Sequence, residues 1–276
     1  MLAAIAGALA ALVSAAVAAG PVGAAAGCAA GSDYDDRVLL DAPIAYWPLG
    51  AADAVEDCAG GHTGAYVAGP ATTTTPNGDP ARAFNGIDQY AQIPAADDLS
   101  VPRTGILTLE AWLRPDVLQF PRQEGTGYVH WAGKGGPRQH EYVARIYSLT
   151  NAEDRPNRIS GYAFNPAGGL GVGSFSQDPV VAGGWIHYVL VINTVDTSGQ
   201  FPSGYTKIYR DGVRRDQDSL AALGIVPAAG SAPLRIGTRD LHSFFAGAIA
   251  KVAVYDREPA AAELRAHYRA MTGQQS

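Results

Sequence analysis

From Asp41 onward hydrophobic and polar residues alternate with a period of two, in short runs separated by Gly, Pro, Asn and Asp. Such runs predict strands at 44–49, 81–86, 90–94, 106–114, 128–133, 140–149, 158–165, 185–193, 205–212, 232–237 and 248–255, with a further short strand at 171–175. Many short strands with polar turns between them predict an all-β, two-sheet antiparallel sandwich. Asn85-Gly86 and Asp211-Gly212 are the residue pairs that tight hairpins use, because both tolerate positive φ. The segments 71–80 and 119–127 are polar and predict loops. One helix is expected, from Pro259 to Met271, with Leu264, His267, Tyr268 and Met271 on one stripe.

The alternation also assigns faces. In ILTLEAWLR, Leu107, Leu109, Ala111 and Leu113 share the core side, opposite Thr108, Glu110, Trp112 and Arg114. Arg145 and Tyr147 share a face of the 140–149 strand, and Arg158 and Tyr162 share a face of the 158–165 strand. A face mixing Arg with Tyr is too polar for a pure core and suits ligand contact. The glycines 168, 169, 171 and 173 follow a strand but open no helix, and their spacing is not that of a dinucleotide-binding loop, so they are read as turn residues.

Ahead of this pattern lies a different one. Residues 2–19 are small and apolar apart from Gly7 and Ser14, and Gly20-Pro21 ends the run. Residues 1–26 are read as a signal peptide, although no Lys or Arg precedes Arg37, and a retained membrane anchor is the alternative. Residues 27–40 then form a lead-in and 41–272 one domain. Export changes the reading of Cys28 and Cys58: in an oxidising compartment they are expected to form a disulfide. The competing reading takes Ala25-Ala26-Gly27-Cys28 as a lipoprotein box, which would tether the chain to a membrane and leave Cys58 free. With 276 residues and a net charge of −6, and with no clustered Lys or Arg, the chain has no expected nucleic-acid partner.

Eight ordered blocks complete the picture: APIAYWPLG, EDCAGGHTGAY, ARAFNGIDQYAQIP, LTLEAWLRPD, GGWIHYVLVIN, KIYRDGVRRD, PLRIGTRD and FFAGAIAKVAVYDREPAAAELRAHY. In order and spacing they resemble the laminin-G-like family of the concanavalin A-like lectin and glucanase jelly rolls. The resemblance implies two curved antiparallel sheets with a short C-terminal helix, and makes His187 and Glu110 structural residues of core strands. It also implies one structural Ca²⁺ in the EDCAGGHTG loop, with Asp57 as the carboxylate ligand and carbonyls near Gly60 and His62 as helpers. Two departures stand out: Ala250 where members often carry Asp, and Ala260 in place of a Thr or Ser helix cap.

The expected function is a secreted or cell-surface recognition module for polysaccharide or glycoconjugate. Its candidate ligand-binding residues are His130, Arg145, Tyr147, Arg158 and Tyr162, on a concave sheet face. A structural or protein-interaction domain is the alternative. A polysaccharide-degrading enzyme is disfavoured, because the paired carboxylates of Glu-x-Asp-x-x-Glu glucanases are missing and no nucleophile elbow occurs.

Overall fold

A computed structural model describes Cys28 and residues 31–274, so the signal segment 1–26 lies outside the described residues. The elements run α1 (Asp33–Leu40), β1 (Ala45–Trp47), β2 (Ala65–Val67), β3 (Ala71–Thr74), β4 (Pro80–Asn85), β5 (Tyr90–Ile93), β6 (Ile106–Pro115), β7 (Tyr128–Lys134) and β8 (Tyr142–Tyr147). They continue through β9 (Ile159–Ala163), β10 (Val172–Phe175), β11 (Ile186–Asn193), β12 (Tyr205–Arg210), β13 (Val213–Ser219), β14 (Leu234–Ile236), β15 (Ala246–Tyr255) and α2 (Ala261–Thr272).

The strands form two antiparallel sheets, as the alternation predicts. An eight-stranded sheet has the order β13-β12-β11-β6-β15-β4-β3, with β1 pairing β15, and a seven-stranded sheet has the order β10-β9-β8-β7-β14-β5-β2. Leu107, Leu109, Ala111 and Leu113 point between them, against Trp131, Tyr142, Ala144 and Ile146 of the other sheet, and this layer is the main core.

Three differences from the sequence reading have physical causes. Residues 71–74, expected in a loop, are the edge strand β3; threonine is β-branched and suits a half-solvated edge despite its polarity. Asn85-Gly86 does not close a hairpin, because β4 and β5 belong to different sheets. Only Gly86 takes a positive φ (74°), while the Asn85 carboxamide accepts from the amides of Ile87 and Asp88 to turn the chain across. Asp211 and Gly212 do take positive φ, 54° and 72°, and join β12 to β13 as a tight turn.

The third difference is α1, in a stretch read as a lead-in. Ser32 caps it, accepting from the Asp35 amide, while the Asp35 carboxylate accepts from the Ser32 amide. With α2 it covers the outer face of the eight-stranded sheet, forming a second core of Tyr34, Val38, Tyr46, Trp112, Tyr255 and Met271. Trp112 stacks on His187 and on Tyr268, with ring centroids 5.2 and 5.8 Å away. At the centre of this layer Glu110 is fully buried. It accepts from Tyr34 (3.0 Å), Tyr255 (2.9 Å), His187 Nε2 (2.8 Å) and His267 Nδ1 (2.9 Å), and so ties both helices to β6, β11 and β15. His187 is the packed, hydrogen-bonded strand residue expected of it.

Cys28 and Cys58 form a disulfide across 30 positions, anchoring the start of the described chain to the loop after β1. The Cys28 sulfur is thereby committed, which corrects the lipoprotein alternative: a thioether-linked lipid needs that same sulfur.

Candidate functional site

Strands β7, β8 and β9 lie side by side, and their register puts His130 opposite Arg145, Arg145 opposite Ser160, and Val143 opposite Tyr162. Alternation sends Tyr142, Ala144 and Ile146 into the core, so Arg145 and Tyr147 face outward. On that outer face lies a cleft of about 590 Å³, lined by His130, Arg145 and Tyr162. Loop 119–127 contributes Gly125 and Thr126 to its walls, and loop 151–157 contributes Glu153 and Arg155.

The geometry is specific. The Arg145 guanidinium lies between two tyrosine rings, 3.8 Å from the Tyr128 centroid and 4.3 Å from that of Tyr162. Its Nε and Nη2 both donate to His130 Nε2 at 3.2 Å. That nitrogen must then carry a lone pair, and the other, Nδ1, faces Glu124 Oε1 at 2.5 Å. Burial, followed by the charges of Arg239 and Arg145, holds the His130 pKa well below its ordinary value, in accord with a neutral ring.

Of the five expected residues, three line the cleft. Tyr147 supports it from beneath: it is fully buried, its hydroxyl meets that of Tyr162 at 2.5 Å, and Arg155 Nη1 donates to both, at 3.2 and 3.0 Å. Burial, and then the neighbouring Tyr147, push the Tyr162 hydroxyl pKa up, so it remains protonated and able to donate. Arg158 is not among the lining residues of the cleft; its Nη1 donates to Gln177 at 3.3 Å and its guanidinium lies 6.0 Å from the Phe175 ring centroid, contacts that hold it outside.

Several lining residues escaped the sequence reading. Tyr128 was legible, two positions before His130 on one strand face. Arg155 and Arg239 lie in connections with no periodicity and become site residues only through long-range pairing. Gly173 has a role beyond turning: a Cβ there would fall 2.2 Å from the Gly161 carbonyl and 2.4 Å from Tyr162 Cδ1, so only glycine lets the Tyr162 ring lie across the neighbouring strand. Gly168 and Gly169, with φ of 84° and 90°, do turn the corner.

The loop expected to hold calcium does not fit the ion. Asp57 Oδ1 accepts from the amides of Tyr46 (2.8 Å), Ala59 (3.0 Å) and Gly60 (3.1 Å), and Oδ2 from the His62 amide (2.9 Å). Burial works against the charge, but these backbone donors outweigh it and hold the Asp57 pKa below its ordinary value. His62 Nδ1 faces the same carboxylate at 3.1 Å and Nε2 faces Asp98 at 3.0 Å, while the His62 carbonyl accepts from Trp47. N–H groups thus occupy the directions a cation would need. Near the cleft, ligand atoms of Glu124, Asp240 and His242 come within 4.8 Å of one another, but Glu124 already accepts from Ser243 and Asp240 is bound to Arg239.

Comparisons with known proteins agree with this architecture. The receptor-binding domain of a botulinum neurotoxin C/D mosaic superposes with a TM-score of 0.58 at 9% identity, covering 83% of this chain and 51% of that one. Domain 4 of an extracellular arabinanase from Geobacillus stearothermophilus, solved with arabinotriose, gives a TM-score of 0.52 at 14% identity over 82% of this chain and 98% of that one. Trypanosoma rangeli sialidase gives 0.54 at 14% identity, over 83% and 32%. The chain spans about half of the neurotoxin structure, and at such identities the likeness shows the fold alone. No curated protein matches the sequence. The family profile Laminin_G_3, described as concanavalin A-like lectin/glucanases superfamily, matches residues 85–265, which contain the cleft strands and most of both sheets, and the chain belongs to that family.

Proposed function

We propose that this chain is an exported, non-catalytic recognition module that binds glycan in the cleft over β7, β8 and β9. The observation that carries this reading is the lining itself. The half-buried Tyr128 ring offers surface for contact with a sugar, the largely buried Tyr162 and Phe164 rings line the floor, and Arg145, Arg155 and the Tyr162 hydroxyl offer donors to sugar oxygens. The cleft's 590 Å³ falls within the roughly 300–1,000 Å³ common for ligand sites. The disulfide supports an oxidising, extracellular setting. Two structural neighbours were solved with such ligands, the arabinanase domain with arabinotriose and a botulinum neurotoxin DC binding domain with SialylT.

The test is a glycan array followed by calorimetry on the strongest hit. The double variant Tyr128→Ala, Arg155→Ala removes two lining side chains and is expected to weaken binding at least ~10-fold, about 1.4 kcal/mol, in protein whose folded state is checked by circular dichroism. Unchanged affinity in that variant would move the site elsewhere.

A further inference from the structure

One cation of the cleft, Arg145, has no carboxylate partner among the described residues. Arg145 is 7% exposed, and its polar partner among the described residues is neutral His130. No described carboxylate pairs with it. Arg239 is 4% exposed; its Nε and Nη2 engage Asp240, while its buried Nη1 has no partner. Its guanidinium also lies over Phe164, 5.4 Å from the ring centroid, on the same floor as Tyr162.

A buried cation without a counter-charge is costly, and proteins keep one where a ligand completes it. Two acidic residues line the cleft, but neither reaches Arg145. Glu153 lies 4.0 Å from Arg155 and takes the Thr126 hydroxyl, and Asp218 is held beside Asp216, burial and that neighbour raising its pKa. Tyrosine faces hold the Arg145 plane in place, so its free edge is pre-organised. A planar or tetrahedral oxyanion is what a guanidinium edge recognises best.

We infer that the cleft selects glycans carrying an anionic group, a carboxylate or a sulfate ester, which docks on Arg145 and the unpartnered edge of Arg239. This rests on the glycan-binding reading above and narrows its ligand class. Neutral sugars lack that charged contact and bind more weakly.

Matched pairs of probes test it by calorimetry: oligogalacturonate, alginate and hyaluronan oligomers, each beside its carboxyl-reduced form, and dextran sulfate beside dextran. At least one acidic member is expected to bind 10-fold or more tightly than its neutral partner, with affinity falling as salt rises from ~50 to ~200 mM. Whether the tight binder is a uronate or dextran sulfate identifies the oxyanion. Arg145→Met is expected to abolish the preference, bringing each acidic member down to the affinity of its neutral partner. If Arg145→Met does not fold, Arg239→Met reads the same preference from the other side of the site. Neutral members binding as well as acidic ones overturns the anionic selectivity and leaves glycan recognition standing. Binding of neither kind, here and on the array, overturns glycan recognition itself.

Discussion

Replacing Glu110 with Gln removes the charge at the centre of the layer that joins the two helices to the sandwich. The carboxylate is fully buried and receives four side-chain donors on two oxygens. Burial opposes its ionisation, but the His267 charge and the hydrogen bonds of both histidines outweigh this and hold its pKa far below the usual carboxylate value of 4.5. Gln keeps one acceptor oxygen and turns an NH₂ toward the other contacts, so His267 loses its main counter-charge and retains Asp41, 2.8 Å from Nε2. Breaking a buried pair from one side costs about 3–5 kcal/mol. At about 2–4 °C per kcal/mol for a domain of this size, the melting temperature should fall by roughly 6–20 °C.

The same network fixes the sign of the pH dependence. His267 is raised above the ordinary 6.5, because Glu110 and Asp41 overcome its desolvation. Its contribution is complete below about pH 6.5 and is lost as pH rises through the raised folded value. That of Glu110 is complete above about pH 4.5 and is lost as pH falls toward its depressed value. Stability from this cluster is therefore greatest between those limits. Scanning calorimetry from pH 4 to pH 9 on wild type and Glu110→Gln reads both effects, and the variant should show a flatter alkaline decline. A variant within about 1 kcal/mol of wild type and with the same alkaline slope would refute the reasoning.

Three further outcomes follow from the geometry. Chelator at matched ionic strength should leave the melting temperature unchanged, whereas Asp57→Ala, which strands four backbone donors, should cost about 3 kcal/mol of stability with or without calcium; a chelator-dependent midpoint contradicts this. Gly173→Ala forces a methyl against the Gly161 carbonyl and Tyr162, so melting should show a loss of about 1–3 kcal/mol and calorimetry roughly tenfold weaker glycan binding. Cys58→Ser opens a closure spanning 30 positions and should cost about 3–4 kcal/mol in chemical denaturation, with reductant mimicking the variant in the wild type.

Alternation was enough to read the sandwich, because a strand buried on one face repeats every two residues. It was least informative where both faces are covered: Thr108, Glu110 and Trp112 looked like an outer face and are buried because α1 and α2 lie over them. The α1 helix has only eight residues, so periodicity is weak, although Ser32 followed three positions on by Asp35 was a readable cap. The heart of the cleft was legible as Arg and Tyr at alternate positions of adjacent strands. Arg158 fits the same period, but Gln177 and Phe175 hold its guanidinium outside the cleft, a contact alternation alone does not show. Arg155 and Arg239 come from connections, and no local pattern announces which loop will reach a site.

The most direct test is to titrate isotopically labelled protein with the strongest array hit and map the amide shifts onto the fold. The account predicts saturable shifts confined to β7, β8, β9, Gly125–Thr126, residues 153–155 and Arg239, with those of β11 and β12 unmoved. Shifts on the outer face of the eight-stranded sheet, or a bound glycan that leaves the Arg145 and Tyr162 signals in place, would contradict it.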